Sequence, residues 1–360
     1  MAYSEFASNR HRATAALEDR KLDAMIVSAA PNVRYLTGFT GSNGWVLLWA
    51  SGAVLLTDPR YEIQASEQTD CAVRVVRGPF YADVMKAAAK KKLRRIGFES
   101  ARLTFNAYEQ LKAQLPLGAA LEPVAGLVDR LRMVKSPREI ELIRSSVALN
   151  SEAYAKAMRS VRPGMTESQL AASIDHQMRL LGAEAAAFET IVASGARSAL
   201  PHAHPTGSPI RRNQLLLIDM GASREGYASD MTRMAFLGRP PRRVRELYRA
   251  VLESQLAAVE AVRAGVPCGN VDRAARRVLR AAGLEKAFVH STGHGLGLEI
   301  HEAPRLGRRE ETPLSAGMVV TVEPGAYLEG LGGVRIEDTV LVTASGCEIL
   351  TPTSKDLLLM

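Results

Sequence analysis

Four acidic side chains and one histidine constrain this chain more than anything else in it. Asp219, Asp230, His294, Glu323 and Glu337 each fall in a stretch that reads as a strand or tight turn: LLLIDMG, GYASDMTRMAF, STGHGLGLE, VVTVEPG and GVRIEDTVLV. Asp230, Glu323 and Glu337 interrupt or end apolar runs that belong in a core, where an unpaired carboxylate is strongly unfavourable. Buried acids persist when they pair with Arg or Lys, or when they hold a metal. Four acids carry a charge of about −4, which two divalent cations neutralise and one does not. Oxygen-rich ligation with one imidazole and no thiolate favours a hard or borderline ion such as Mn²⁺ over a structural zinc site. A two-metal centre activates water for hydrolysis.

The rest of the composition fits a soluble enzyme. The 360 residues suit two domains or one large one, and 47% hydrophobic residues are ample for a core. No apolar run approaches a bilayer span. The polar start MAYSEFASNRHRATAALEDR carries no apolar signal segment, so a cytoplasmic location without membrane attachment is expected. Cys71, Cys268 and Cys347 lie far apart without a CxxC spacing and read as isolated reduced thiols. The net charge of +8 raises a nucleic-acid reading. Its two basic runs, KKKLRR at 90–95 and RPPRRVRELYR at 239–249, flank predicted helices, and the first lacks interleaved aromatics. Both are read as solvated surface, with no nucleic-acid partner.

Strand and helix patterns alternate through residues 1–132. LDAMIVSA, GWVLLWA, GAVLLTD, AVRVVRG and RRIGFE read as strands, YADVMKAAAKKK and NAYEQLKAQL as helices. A boundary falls at DRLRMVKSPREIELIRSS. There Ser136 can cap a helix, Pro137 suits its first position and Glu139 completes a capping box. Residues 133–360 then look duplicated. Each half offers a helix (ESQLAASIDHQMRLLG; VDRAARRVLRAAG), a histidine segment (His202; His294) and two acid-bearing strands. The acid pairs are eleven and fourteen residues apart, which suits strands joined by a hairpin. A repeated helix–strand–strand unit would set all four acids around a pseudo-two-fold axis. The overall class is α/β (α+β).

FETIVASGARSALPHAHPTG, LLLIDMGASREGYASDMTR, STGHGLGLEIHEAPR, VVTVEPG and GVRIEDT resemble, in order, the motifs of the Xaa-Pro peptidases, prolidase and aminopeptidase P. NVRYLTGFTGSNGWVLL resembles the creatinase-type N-terminal domain of that family, and RMVKSPREIELIR its interdomain helix start. The resemblance implies a creatinase-like domain over 1–132 and a catalytic domain of the pita-bread fold over 133–360. It implies two metal ions, Mn²⁺ first and Co²⁺ or Zn²⁺ as alternatives. Asp219 would chelate one ion, His294 and Glu323 the other, with Asp230 and Glu337 bridging. His202 and His301 would contact substrate and stabilise the intermediate, and Arg335 would stand behind the ligands. Glu323 is the candidate proton shuttle for the departing proline nitrogen. Because every metal position is filled, a catalytically silent binding protein of this fold is the remote alternative.

Several neighbours have ordinary readings. His204 is placed at the rim, and His11, His176 and His290 are taken as structural. GHGLGLE lacks the strand-to-helix setting of a phosphate loop. The subclass turns on the surroundings. Asp58, Arg60 and Tyr61, in DPRY, resemble a motif of small prokaryotic aminopeptidases P, although DPRY is also an ordinary strand-end turn. The short stretch between His301 and Glu323 leaves little room for a selectivity loop. The sequence reading is therefore an aminopeptidase P, releasing the first residue of peptides with proline second. A dipeptidase is the alternative, with Arg305 taking the free proline carboxylate. Relatives of this domain pair are usually homodimers, so a homodimer is expected, with one chain's N-terminal domain walling its partner's site.

Overall fold

The helix start expected at Ser136 is present in full. Ser136 Oγ accepts from Glu139 N at 3.2 Å, and Glu139 Oε2 accepts from Ser136 N at 2.8 Å, at the head of the helix Pro137–Met158. A cap of this kind contributes about 1 kcal/mol. In the computed structural model, which describes residues 2–360, it lies just past the division between two units, Met1–Arg132 and Met133–Met360.

The first unit is built on a six-stranded mixed sheet. Its spatial order is Ala72–Val75, Gly52–Thr57, Gly44–Trp49, Ala24–Val27, Arg95–Glu99 and Ala120–Val124. The three central strands from Gly52 to Val27 pair antiparallel, and the outer neighbours are added in parallel. Ile26, Leu47, Leu56, Val84, Ile96 and Leu111 meet in one buried cluster. Asp58 follows the Gly52–Thr57 strand and caps a single turn, Pro59–Tyr61.

The second unit carries two related halves. In the first, the helices Pro137–Met158 and Glu167–Leu180 pack together beside a sheet ordered Leu358–Leu359, Met231–Leu237, Gln214–Met220, Ile191–Ser194. In the second, Arg242–Ala261 and Cys268–Ala281 pack together beside Glu302–Leu306, Gly293–Gly295, Val319–Val322, Asp338–Val342 and Cys347–Ile349. Each half thus has two helices, where the repeat pattern shows one. The extra helix of the second half begins in the charged run RRVRE, which reads as surface before it reads as a repeat element.

The acid pairs are also not joined by simple hairpins. Gln214–Met220 and Met231–Leu237 do pair antiparallel, Thr232 opposite Asp219. Between them the chain forms a small ribbon, Ala222–Arg224 with Tyr227–Ala228. The second half repeats the device. Val319–Val322 pairs with Asp338–Val342, and Gly325–Leu328 with Gly332–Arg335 forms the ribbon between.

The halves are sewn together beside the acids. Thr232, two residues after Asp230, donates its hydroxyl to Glu337 Oε2 at 2.8 Å. Thr339, two residues after Glu337, donates to the carbonyl of Asp230 at 2.9 Å. Arg233, 1% exposed, donates to Glu337 O at 2.5 Å and to Asp338 Oδ1 at 2.8 Å. This reciprocal bonding brings the strand ends from both halves together.

Candidate metal centre

Asp219 is the next-to-last residue of its strand, and Asp230 and Glu337 immediately precede theirs. Glu323 immediately follows Val319–Val322, and His294 is the middle residue of Gly293–Gly295. All five line one cavity of about 630 Å³, together with His202, His301, Arg305 and Arg335. Ligand atoms of Asp230, His294 and Glu337 lie within 4.8 Å of one another. His294 Nε2 is 3.5 Å from Glu323 Oε1 and 3.6 Å from Asp230 Oδ2.

The glycines around His294 have a steric cause. A Cβ on Gly293 would stand 2.0 Å from the carbonyl oxygen of Thr321, and one on Gly295 would stand 2.3 Å from that of Ala303. Only glycine allows the histidine strand to lie so close to both neighbours. Thr321 Oγ1 accepts from His294 N at 3.1 Å and donates to Glu323 Oε1 at 3.4 Å. His294 Nδ1 donates to the carbonyl of Gly295 at 3.0 Å, which leaves Nε2 as a lone pair facing the acids.

Electrostatics make the cluster a site suited to cations. Burial, followed by the charges of Glu337, Asp219 and Glu323, raises the Asp230 carboxyl far above its ordinary range. Burial, then Glu323 and Asp219, does the same to Glu337. Burial lifts Glu323 to about 7 and lowers His294 to about 4, so the imidazole is neutral. Asp219 Oδ1 is buried without a hydrogen-bond partner, a costly arrangement unless something else is bound there. Crowded carboxylates, an orphan carboxylate oxygen and an imidazole with its lone pair turned inward fit divalent cations of the Mn²⁺ type.

Behind the acids runs a chain of hydrogen bonds. Arg335, 3% exposed, donates to Asp219 Oδ2 at 2.5 Å, Tyr327 Oη at 2.7 Å, Thr232 Oγ1 at 3.1 Å and the carbonyl of Pro201 at 3.1 Å. The last of these fixes the segment carrying His202. Tyr327 Oη lies 2.9 Å from His290 Nε2. Burial and then Arg335 lower His290 to about 4, so the tyrosine donates to a neutral ring. His290 also lines the cavity, which corrects its reading as a merely structural residue. Neither it nor Tyr327 belongs to an acid pair, so spacing gave no signal; the histidine earns its place through a tyrosine 37 residues away.

The remaining expected residues divide. The ring of His301 lies 4.4 Å from that of His294. His204 is exposed and pairs with exposed Glu189 at 2.8 Å, a rim position. Arg305 is exposed, and its side chain makes no ion pair or hydrogen bond among the described residues. Asp58, Arg60 and Tyr61 lie in the first unit, whereas every residue lining the cavity belongs to the second. Asp58 accepts from Arg60 Nε at 2.9 Å, Arg60 Nη2 at 2.8 Å and Asn43 Nδ2 at 2.6 Å. That local capping gives DPRY a full account within its own unit.

The fold and the acid cluster define a metal-dependent hydrolase. The chain belongs to metallopeptidase family M24, whose model matches residues 141–344, and the Creatinase/Prolidase N-terminal domain model matches residues 10–134. It is 36% identical over 346 residues to a Xaa-Pro dipeptidase of Pyrococcus horikoshii, covering 95% of this chain and 96% of that one. Among solved structures, a Xaa-Pro dipeptidase from Bacillus anthracis superposes with a TM-score of 0.96 at 36% identity, covering 99% of this chain and all of the other. An X-Pro aminopeptidase from Thermotoga maritima superposes at 0.89 with 37% identity, covering 94% and 98%. Family M24 implies divalent metal ions, and no helix among the described residues is long and apolar enough to cross a membrane.

Proposed function

We propose that this metallopeptidase is a Xaa-Pro dipeptidase with two divalent metal ions, Mn²⁺ the first candidate. The observation that carries the dipeptide reading is Arg305. Its guanidinium, without a partner among the described residues, lines the same cavity as the acid cluster, where it can pair with the free carboxylate of a C-terminal proline. The Xaa-Pro dipeptidases among the relatives favour the same choice over the aminopeptidase P expected from DPRY. The Thermotoga maritima neighbour keeps the aminopeptidase reading as the competitor.

Asp219, Asp230, His294, Glu323 and Glu337 would hold the ions. Two bound divalent ions supply a water made nucleophilic at neutral pH and polarisation of the scissile carbonyl. The protein's own groups do the rest. His202 and His301 face the cavity and would donate to the oxygen of the carbonyl under attack. Glu323 would carry a proton to the proline nitrogen, which must be protonated as it leaves. Proline has no N–H and a fixed φ, so a peptidase that grips that N–H cannot serve here. We also propose a homodimer, checked by light scattering at micromolar concentration.

Turnover of a Xaa-Pro dipeptide against the matching Xaa-Pro-Yaa tripeptide, with Mn²⁺ supplied, tests the reading. Preference for the dipeptide is expected; release of the first residue from the tripeptide with a poor dipeptide rate decides for the aminopeptidase.

A further inference from the structure

Glu167, the first residue of the helix Glu167–Leu180, is fully buried, yet the helix does not need it as a cap. Thr166 and Gln169 already form a capping box there. The Glu167 carboxylate turns instead to the segment that carries His202. At the near end of that segment its Oε1 accepts from Ser194 N at 2.8 Å and from Ser194 Oγ at 3.2 Å. At the far end its Oε2 accepts from Thr206 N at 3.1 Å and from Thr206 Oγ1 at 2.7 Å. Both oxygens also accept from Arg197 Nε, at 3.2 and 3.1 Å, and Arg197 Nη2 donates to the carbonyl of His204 at 2.7 Å. One carboxylate thus closes residues 194–206 into a loop.

His202 lines the cavity from this loop, and its ring makes no hydrogen bond among the described residues. Its direction is therefore set by its backbone. The carbonyl just before it, that of Pro201, is held by Arg335, and Arg335 by Asp219. The carbonyl two residues after it, that of His204, is held by Arg197, and Arg197 by Glu167. The first clamp ends on a member of the acid cluster, the second on a residue that lines no part of the cavity. A fully buried carboxylate is tolerated only while its donors stay in place. The amide of a glutamine offers one acceptor oxygen where the carboxylate offers two, so the donors at one end of the loop would meet an NH₂ group instead.

We propose that Glu167 is a positioning residue for His202: by tying Ser194, Arg197 and Thr206 to one carboxylate, it fixes the loop that aims the imidazole at the carbonyl under attack. It acts from outside the cavity and never touches substrate. The inference rests on the proposed role of His202 as a donor to that carbonyl oxygen, and not on the choice between dipeptides and longer substrates. Misplacing such a donor by about 1 Å can cost about 10²-fold in rate, so the fixity of the loop is felt at the chemical step.

The test is a double-mutant cycle on the Mn²⁺-loaded full-length enzyme, with kcat and KM measured on whichever of Xaa-Pro and Xaa-Pro-Yaa it turns over faster, and metal content by elemental analysis. Glu167→Gln should lower kcat roughly tenfold or more, with KM within about twofold of wild type and full metal content. In the His202→Ala background the same change should cost less than about twofold, because the group it positions is gone. If Glu167 served the fold alone, its loss would add independently to that of His202. An equal loss in both backgrounds, an unchanged kcat or a lost ion therefore overturns the proposal. Should Glu167→Gln fail to fold by circular dichroism, Thr206→Val removes one donor to the same carboxylate. It should show a smaller loss of the same kind, absent in the His202→Ala background and largely recovered by Thr206→Ser, which keeps the hydroxyl; a loss that persists without His202 again overturns the proposal. His202→Ala alone separates the two ideas. If it leaves kcat at the wild-type value, the role of His202 and this inference both fall. If it lowers kcat as expected while Glu167→Gln adds to it independently, only this inference falls.

Discussion

Arg335 and Asp219, 116 residues apart in sequence, meet through a hydrogen bond of 2.5 Å at the centre of the molecule's chemistry. The contact takes one oxygen of Asp219 and leaves the other, Oδ1, buried without a partner. A carboxylate clamped on one side and bare on the other is preorganised to accept an ion, its rotamer set in advance. The same guanidinium reaches Thr232, Tyr327 and Pro201 O, so it ties together both halves of the duplicated unit and the His202 segment.

Arg335→Lys should therefore behave as a poor substitute. A lysine ammonium cannot reproduce a planar fork spread over four acceptors. Metal affinity or kcat should fall by about 10–100-fold, the usual cost of removing support behind a metal ligand. Metal titration by calorimetry measures the first and steady-state kinetics the second. Wild-type values in both would show that Asp219 needs no such clamp.

Chelation supplies a direct check of the centre. The purified protein is expected to bind two Mn²⁺-like ions per chain and to lose activity when they are removed. Asp230→Asn or Glu337→Gln should lose at least one ion by elemental analysis, since each belongs to the proposed set of ligands. Full turnover in a preparation shown to be metal-free would refute the mechanism.

The acid positions were readable from the chain because burying a charge is costly enough to leave a pattern: an Asp or Glu in an apolar run, followed by a second at strand-pair spacing. Ser136, Pro137 and Glu139 announced their helix for a similar reason, a local hydrogen-bond need met by local residues. What remained hidden is tertiary. His290 acquires its role through Tyr327 and Arg335, and nothing near it in sequence reports that partnership. The ribbons between the acid strands were hidden too, since LEGLGGVR and SREGYA read as turns before they read as strands. DPRY points to aminopeptidase P in the sequence, whereas in the fold its Asp58–Arg60 pair serves a turn of its own.

The two histidines outside the acid set should separate chemistry from metal binding. His202→Ala and His301→Ala are expected to keep full metal content while kcat falls by roughly 10²-fold or more, as for loss of a donor to a developing oxyanion. If either variant loses an ion instead, that histidine is a metal ligand and its role here is wrong.

Stability of the metal-free protein should depend on pH in a definite direction. Glu323 is lifted to about 7 by burial, and Asp230 and Glu337 are raised well above their ordinary values, whereas all three return to about 4 in the unfolded chain. Between those limits the folded state holds more protons than the unfolded one, so stability falls as pH rises. It is fully present below about 4 and, for Glu323, lost as pH passes through about 7. Bound divalent ions replace the missing protons, so added Mn²⁺ should raise Tm more at pH 8 than at pH 5. Thermal melts at the two pH values, with and without Mn²⁺, measure the difference; a metal-free protein more stable at pH 8 would contradict the crowded, uncompensated state described for these acids.

On the proposed dipeptidase reading, the subclass turns on Arg305. A guanidinium waiting for a proline carboxylate is satisfied by a dipeptide and left facing an amide by anything longer. Extending the substrate by one residue then removes an ion pair and costs several kcal/mol when the site is closed to water. Because Arg305 is exposed, solvent can reach it, and the penalty should lie toward the lower end, about tenfold to a hundredfold in kcat/KM. Arg305→Ala should lower kcat/KM on Xaa-Pro by that factor, leave the slower Xaa-Pro-Yaa turnover nearly unchanged, and keep both metals. Arg60→Ala should leave dipeptide turnover unaltered, since Arg60 is committed to Asp58. The reverse pattern, tripeptide cleavage lost with Arg60→Ala and indifferent to Arg305→Ala, would make the enzyme an aminopeptidase P.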